Sequence, residues 1–322
     1  MDHGPARRRG DGARGVTRLY THEVFLAHDT GPHHPERPDR LRAVLKGLAV
    51  PAFDGLERHV APAATRAQIE RVHPPAQVEG VLSIIPDSGL APIDGDTVVS
   101  QKSGDAAFHA AGALCAAVDA VAGGAAKNAF CAVRPPGHHA EPSRAMGFCL
   151  FNSVAIGAMQ ARAVHGLERV AVVDFDVHHG NGTQAFAWDD RNFFYASTHQ
   201  MPLYPGSGRA AEKGVGNIVN APLQPGADGI AFRAVMSETV LPALRRFAPD
   251  IVLISAGFDG HARDPLANLN LVEDDFAWVT RELMAVAEES AEGRVVSCLE
   301  GGYDLEALAA SASAHVAALM AE

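Results

Sequence analysis

Short apolar segments without polar alternation recur along the chain, and stretches of helical periodicity separate them. The clearest is Ile251-Val252-Leu253-Ile254-Ser255-Ala256. Further strands are predicted from Arg169 onward and over 19–27, 129–133, 193–197 and 294–299. A strand that is apolar on both sides is covered on both sides, as in a parallel sheet. Strands that alternate with helices therefore predict an α/β fold, with a parallel sheet between two helical layers.

Helical periodicity is predicted between these strands. Leu41, Val44, Leu45 and Leu48 have the spacing of an amphipathic helix over 39–48. Other helices are predicted over 66–72, 77–85, 103–122, 152–164, 229–247, 274–290 and 304–321, with a short one after Thr183. Because no Ser- or Gly-rich linker divides this pattern, residues 17–322 are predicted to form a single domain. The first 16 residues are rich in Gly and Arg without apolar periodicity, which predicts a flexible tail over 1–16.

Composition excludes several kinds of partner. The formal net charge of −11 and the pI near 5.8 give no positive surface for nucleic acid. No apolar run reaches the roughly 18 residues that a membrane span needs. The four cysteines are far apart, lack Cys-x-x-Cys spacing and follow no signal peptide, which predicts reduced core residues. We therefore expect a cytoplasmic enzyme with no nucleic-acid or membrane partner; a homo-oligomer is left open.

The segment 172–182 has the densest chemistry. It begins as a buried strand, Val172-Val173, and continues as Asp174-Phe-Asp176-Val-His178-His-Gly-Asn181-Gly. Successive side chains of an extended strand alternate, so Asp174, Asp176 and His178 are expected on one side. Carboxylate and imidazole are common ligands of divalent metals, zinc above all. The alternative is a polar strand end that caps the next helix, but two Asp, two His and two Gly within nine residues exceed what a cap needs.

Three other predicted strands also run into polar clusters, and parallel strands bring these ends to one edge of the sheet. Asp259 follows the strand over 250–256 and is the predicted third metal ligand; the alternative is an Asx-turn. The tandem His138-His139 after Pro-Pro-Gly suits proton transfer, although an isolated His pair is often incidental. Tyr303 after two glycines is placed to stabilise an oxyanion, or else packs on the sheet.

Two further polar residues of the central segment are available to orient the imidazoles. Asp174, one step deeper than Asp176, is placed to orient an imidazole rather than the metal. Asn181 is available for the other imidazole of the pair.

Four motifs together resemble those of the histone deacetylase family. They are Arg134-Pro-Pro-Gly-His-His-Ala, Asp174-Phe-Asp-Val-His-His-Gly-Asn-Gly-Thr, Ser255-Ala-Gly-Phe-Asp-Gly-His and Leu299-Glu-Gly-Gly-Tyr-Asp-Leu. Their order and spacing match from about Leu19 to the C-terminus, and His34-Pro-Glu-Arg37-Pro and Asp96-Thr97 agree as well. Asn181 stands where class I members carry Asp, so the nearer branch resembles class II and the bacterial histone deacetylase-like amidohydrolases.

The resemblance implies the arginase/deacetylase fold, a three-layer structure with about eight parallel strands. It implies one zinc ion per chain, held by Asp176, His178 and Asp259. His139 would be the general base, and His138, paired with Asp174, its electrostatic partner. Tyr303 would hydrogen-bond the tetrahedral intermediate, and Asn181 would contact the second imidazole.

The resemblance also implies residues around the metal. A structural potassium ion would lie behind the zinc, at Asp174, Asp176, His178, Ser197 and Thr198. An acyl-lysine tunnel would be lined by Gly147, Phe148, Tyr204, Leu266, Gly301 and Gly302, with Tyr204 in place of the usual Phe. The rim would include Asp96, which would grip the substrate backbone, together with His34 and Arg37.

The resulting hypothesis is hydrolysis of an amide, in which an acetyl or other short acyl group is removed from a lysine-like amine. An acetylpolyamine amidohydrolase is the nearest alternative; Leu266, which stands where a polyamine-selective relative carries a gate Glu, weakens it. A binuclear manganese ureohydrolase would need more metal ligands. An acyl-lysine binding module without catalysis is expected to lack the Tyr that is present at 303.

Overall fold

The computed structural model describes residues 15–321, so most of the predicted tail, residues 1–14, lies outside the described range. The strands are β1 (Thr17–Thr21), β2 (Glu57–Val60), β3 (Leu90–Pro92), β4 (Val98–Ser100), β5 (Asn128–Cys131), β6 (Val170–Asp174), β7 (Phe193–Gln200), β8 (Ile218–Leu223), β9 (Ile251–Ala256) and β10 (Val295–Leu299). Eight of them form one sheet in the order β2-β1-β5-β10-β9-β6-β7-β8, and all neighbours are parallel. β3 and β4 form a separate antiparallel pair.

Helices cover this sheet on both faces. They are α1 (Val24–Ala27), α2 (Pro38–Gly47), α3 (Arg66–Ile69), α4 (Pro75–Ile84), α5 (Ser103–Ala122), α6 (Ser153–His165), α7 (Asn181–Ala187), α8 (Gly229–Val235), α9 (Leu241–Phe247), α10 (Glu273–Ser290) and α11 (Leu305–Met320), with a 3₁₀ turn at Pro51–Phe53. α5 packs against α6, while α11 packs against both α2 and α10. The predicted α/β architecture is confirmed. The division into a tail and one domain stays a prediction.

The first predicted strand, over 19–27, is wrong in its second half. β1 ends at Thr21, and the chain turns into the short helix α1. The Nδ1 atom of His22 accepts a hydrogen bond from the amide of Val24, 2.9 Å away, which closes this turn. Phe25 is fully buried from the helix, so its apolar side chain serves the core without being part of a strand.

The helix predicted over 229–247 is continuous but not regular. Between α8 and α9 lies one π-helical turn, Met236–Val240. Pro242 stands at the start of α9 and has no amide hydrogen to donate to the preceding turn, which accounts for the altered hydrogen bonding there.

Within residues 15–321 one helix, α5, is long and apolar enough by length and composition to cross a membrane, contrary to the expectation from the sequence. The most apolar part of α5 is 67% buried inside the fold. α5 packs against α6 and against β5. Because a buried core helix meets the same criterion, α5 gives no support for a membrane span.

A buried histidine joins α11 to the sheet and to α10. His315 has no exposed surface; its Nδ1 lies 2.6 Å from the hydroxyl of Thr280 and its Nε2 lies 2.8 Å from the hydroxyl of Ser297. Burial lowers the pKa of His315 from 6.5 to about 3. The neutral ring is therefore the form that the folded protein accepts.

Acid is expected to destabilise the fold through His315. A folded-state pKa below the unfolded value gives stability that is present above pH 6.5 and is lost as the pH falls toward the folded pKa. Between pH 7.5 and pH 5, His315 should account for a loss of about 2 kcal/mol in the free energy of unfolding. Urea unfolding of metal-free protein at both pH values measures this loss. In His315→Gln the loss of unfolding free energy between the two pH values should be smaller by about 2 kcal/mol. In His33→Gln, which changes an exposed histidine, it should equal that of the wild type. An equal loss in all three proteins would contradict the assignment.

Candidate active site

The polar clusters that follow four strands lie side by side at one edge of the sheet. β5, β10, β9 and β6 are consecutive neighbours, so their carboxyl ends meet although they are far apart in sequence. In parallel α/β sheets this edge is where ligands bind. This topology produces the predicted convergence of four groups: the His pair, the Asp-His segment, Asp259 and Tyr303.

Asp176, His178 and Asp259 form a compact group in which one ligand atom of each lies within 4.8 Å of the others. The Nδ1 atom of His178 lies 3.1 Å from Asp176 Oδ1 and 3.0 Å from Asp259 Oδ2. The chain reaches this arrangement differently from the predicted alternation. β6 ends at Asp174, and the following residues bend, so Asp176 and His178 belong to a loop.

Backbone amides hold the two carboxylates in place. The amide of Gly301 donates to Asp176 Oδ2 at 2.8 Å, and the amide of Val177 donates to Asp259 Oδ1 at 2.9 Å. A Cβ atom at Gly301 would overlap the Asp259 carboxylate. Glycine at 301 is therefore required for the close packing of the acidic pair.

The group has an excess of negative charge. Asp176 and Asp259 are buried, and within residues 15–321 neither pairs with an Arg or Lys. Burial would lower the pKa of His178, but hydrogen bonds to both carboxylates raise it to about 10. Burial and the like charge of Asp176 raise the pKa of Asp259 to about 7. Two carboxylates and one imidazole in this arrangement fit a divalent metal cofactor.

The two tandem histidines have different partners. Nδ1 of His138 lies 3.0 Å from Asp174 Oδ2, whereas Nδ1 of His139 lies 2.9 Å from Asn181 Oδ1. Burial opposes the charged form of His138, but Asp174 and Asp176 outweigh it and raise its pKa well above the usual value. Burial, and then the charge of the neighbouring imidazoles, lowers the pKa of His139 well below that value. His138 thus favours the cation, and His139 favours the neutral form that a base requires.

Tyr303 is held by its backbone and by its ring. Its amide donates to Asp264 Oδ2 at 2.7 Å, and the Arg40 guanidinium lies 4.8 Å from the ring centroid. Arg40 also donates through Nε to the carbonyl of Gly302 at 2.6 Å. Burial raises the pKa of Tyr303 well above 10, although Arg40 opposes this. The phenol therefore stays protonated and remains a hydrogen-bond donor.

The three histidines His138, His139 and His178 and the phenol of Tyr303 face a cavity of about 210 Å³. Its lining consists of Asp96, Pro136, His138, His139, Gly147, Phe148, His178, Leu203, Tyr204, Leu266, Gly301 and Tyr303. Five of the six predicted tunnel residues are among them; Pro136 and Leu203 were not predicted. A larger cavity of about 920 Å³ lies at the opposite edge of the sheet, away from this chemistry.

The amino-acid sequence matches one family over almost its whole described length. Residues 34–319 match the histone deacetylase domain. The chain belongs to the histone deacetylase family. The resemblance inferred from the four motifs is thereby confirmed.

Curated relatives and a solved structure agree with this membership. "Histone deacetylase 14, chloroplastic" of Arabidopsis thaliana is 40% identical, with 94% of this chain and 77% of the relative covered. The "histone deacetylase-like amidohydrolase" of Pseudomonas aeruginosa is 38% identical, with 89% and 81% covered. The crystal structure of the HDA15 HD domain superposes with a TM-score of 0.90 at 35% identity and covers 95% of this chain and 90% of that one. The chain is a histone deacetylase-family hydrolase.

One predicted tunnel residue does not line the cavity of this deacetylase-family hydrolase. Gly302 has a φ of +122°, which favours glycine, and a Cβ atom there would meet Leu308 and Phe258. It serves the packing of the loop before Tyr303. That Gly302 gives room around the acyl group stays a prediction.

The predicted rim residues are only partly at the cavity. Asp96 lines it. His34 lies behind that lining, with Nε2 2.9 Å from the Asp96 carbonyl and its ring centroid 4.7 Å from that of Phe148. Arg37 pairs with Asp39 at 3.6 Å at the start of α2 and does not line the cavity.

Two of the residues predicted for a monovalent cation lie on neighbouring strands next to the metal group. Asp174 and Ser197 are paired on neighbouring strands. Ser197 Oγ lies 2.8 Å from His199 Nδ1, while the buried hydroxyl of Thr198 has no hydrogen-bond partner within residues 15–321.

Two buried carboxylates of the site were not predicted. Glu36, in the loop expected at the rim, is fully buried; it pairs with Arg40 at 3.0 Å and accepts a hydrogen bond from Arg134 Nη2 at 2.7 Å. Glu300 accepts from the amides of Gly137 and His138, at 2.7 and 3.2 Å. Both acids stand inside motifs that the sequence had singled out. Their position inside these motifs was the sequence signal that could have identified them as site residues.

Proposed function

We propose that this hydrolase is a zinc-dependent deacetylase that removes an acetyl, or another short acyl, group from a lysine-like amine. The observation that carries the proposal is one cavity lined by His178 of the acidic triad, by His139 and by Tyr303. A metal group, a base and an oxyanion donor are the parts that amide hydrolysis needs.

Asp176, His178 and Asp259 would hold the zinc, which when bound supplies Lewis-acid polarisation of the substrate carbonyl. The chain's own groups manage the protons. His139 donates its Nδ1 hydrogen to Asn181, which leaves Nε2 free to accept a proton from the attacking water. That proton is then available for the leaving amine. The phenol of Tyr303 donates a hydrogen bond to the oxygen on which negative charge develops.

The cavity walls suit an aliphatic side chain. Phe148 and Tyr204 line it together with Leu203 and Leu266, and the polar lining includes His178 of the triad. An apolar passage with a few convergent polar groups is the usual form of a small-ligand site. It supports a lysine-like amine whose acylated end lies beside His139.

Two further features belong to the proposal. A potassium ion would lie among Asp174, Asp176, His178, Ser197 and Thr198, of which Asp174 and Ser197 are paired on neighbouring strands. The proposed location is the cytoplasm, because all four cysteines are free and buried, as suits a reducing compartment.

The test is release of acetate from an acetyl-lysine peptide by protein that has been stripped with a chelator and reloaded. We expect activity to disappear on chelation, to return with zinc, and to accompany about one metal ion per chain. Activity that survives complete metal removal would contradict the proposal. Release of acetate in the same assay would exclude a pure binding module. A binuclear ureohydrolase gains no support from the structure, since the triad is the only group of three or more candidate metal ligands within residues 15–321.

An acetylated polyamine is the second candidate substrate. Asp96 lines the cavity, and Asp94 Oδ1 accepts a hydrogen bond from the amide of Asp96 at 3.2 Å, so a second carboxylate lies next to this wall. Negative charge there favours a cationic amine. Values of kcat/KM measured side by side for acetyl-lysine peptide, acetylputrescine, and longer or trifluorinated acyl-lysines distinguish the two substrates.

A further inference from the structure

Asn181 contacts two groups with opposite hydrogen-bonding needs. Its Oδ1 lies 2.9 Å from Nδ1 of His139, and its Nδ2 donates to Glu141 Oε1 at 2.7 Å. A carboxylate accepts hydrogen bonds and donates none, so Glu141 can only face the NH₂ end of this amide. The oxygen end is then left for His139, which must carry its hydrogen on Nδ1.

The carboxylate of Glu141 is held in this position by an ordered segment. The amide of Glu141 donates to the carbonyl of Arg144 at 2.9 Å, which closes a tight turn. Just before it, the carbonyl of Ala140 accepts a hydrogen bond from Asn152, the residue that caps α6. Within residues 15–321 Glu141 has no ion-pair partner, and its carboxylate accepts one side-chain hydrogen bond, from the amide of Asn181.

We propose that Glu141 is a positioning residue for deacetylation: it fixes the amide of Asn181 so that His139 keeps its hydrogen on Nδ1 and presents an unprotonated Nε2. This inference rests on the proposed function. The reversed amide would donate to Nδ1 and move the hydrogen to Nε2, which could then accept no proton. The orientation of the Asn181 amide therefore decides whether Nε2 of His139 can accept a proton.

The arrangement differs from that of the neighbouring imidazole. His138 contacts the carboxylate of Asp174 directly, at 3.0 Å. In front of His139 a neutral amide stands between the imidazole and the carboxylate. The ring is thus oriented by an acid without having a full negative charge against it.

Weaker acceptors on the same side limit the expected loss. The Nδ2 atom of Asn181 also lies 3.4 Å from Met146 Sδ and 3.5 Å from the carbonyl of His139. These contacts favour the same amide orientation after Glu141 is removed. We therefore expect a reduced population of the active tautomer, and not its disappearance.

The first test compares Glu141→Leu, which removes the acceptor, with Glu141→Gln, which keeps an acceptor oxygen. We expect kcat to fall about tenfold in Glu141→Leu and about threefold or less in Glu141→Gln. KM should change by less than about twofold and the bound zinc should not change, because neither variant touches the substrate walls or the triad. Equal kcat in all three proteins would overturn the proposal, as would loss of zinc in parallel with kcat.

The second test exchanges the positions of the amide and the carboxylate. Asn181→Asp places a second carboxylate against Glu141, so the two acids repel each other. Adding Glu141→Gln gives the new carboxylate an NH₂ donor. We expect the double variant to exceed Asn181→Asp in kcat by at least about threefold. A merely structural role predicts additive losses, so a double variant that is equal to or worse than Asn181→Asp would overturn the proposal.

Failure of this inference is distinguishable from failure of the proposed function. If the zinc-loaded wild type releases no acetate, the proposed function is wrong. If it releases acetate and the Glu141 variants match it, only the role of Glu141 is wrong.

Discussion

Replacing Asp259 with Asn is expected to lower kcat/KM for deacetylation more than about a thousandfold and to reduce bound zinc from one per chain toward none. The carboxylate oxygen that lies 3.0 Å from His178 becomes part of a neutral amide, a poor ligand for the proposed ion. The substitution is nearly isosteric, and the amide oxygen of Asn can still accept from Val177. The fold should therefore persist while the metal is lost.

Metal analysis after dialysis against zinc, together with thermal unfolding, checks this result. Zinc at a thousand times its Kd should stabilise the wild type by about 4 kcal/mol and leave the variant unaffected. Asp274→Asn is the matched control, because this exposed Asp at the start of α10 belongs neither to the triad nor to the cavity lining. A variant that keeps one zinc per chain and the wild-type rate would remove Asp259 from the metal group.

The metal group could be predicted because neighbouring parallel strands bring together ligands that are distant in sequence. Asp176 and Asp259 are 83 positions apart, yet each follows a strand that is apolar on both faces. β6 and β9 are neighbours, so two similar local signals define one place. What could not be predicted was the bend after Asp174, since a period-two pattern does not show where an extended segment stops.

The edge strands escaped prediction for a different reason. β2 has only four residues with an alternating, half-exposed pattern, and β8 contains a proline, Pro222. Strands at a sheet edge need no continuous apolar run, and they tolerate proline. The signal that revealed the central strands is therefore weak at both edges.

Buried charges were the other unpredicted feature. Glu36 and Arg134 pair across 98 positions of sequence, and a His-, Pro- and Arg-rich loop has the composition of a solvated turn. Only the folded arrangement shows that two arginines compensate one carboxylate. Glu141 is a parallel case, because its partner Asn181 lies 40 positions away.

Replacing Tyr303 with Phe is expected to lower kcat by about 10²- to 10³-fold, the usual cost of one oxyanion donor. The rest of the residue stays in place. The ring keeps the Arg40 guanidinium at 4.8 Å and the edge contact with Phe148 at 6.0 Å, and the backbone amide keeps its bond to Asp264. Only the hydroxyl is lost, so zinc content and thermal stability should match the wild type.

The distribution of this loss between kcat and KM tests the role itself. A hydrogen bond that forms only as charge develops on the carbonyl oxygen lowers kcat and leaves KM nearly unchanged, whereas a ground-state contact raises KM. Tyr20→Phe removes a hydroxyl that donates to the carbonyl of Ala116, away from the cavity, and should leave both constants unchanged. Unchanged kcat in Tyr303→Phe would exclude the phenol from the reaction. A rise in KM alone would make Tyr303 a residue that binds the substrate, and the negative charge of the transition state would then depend on the metal and His138.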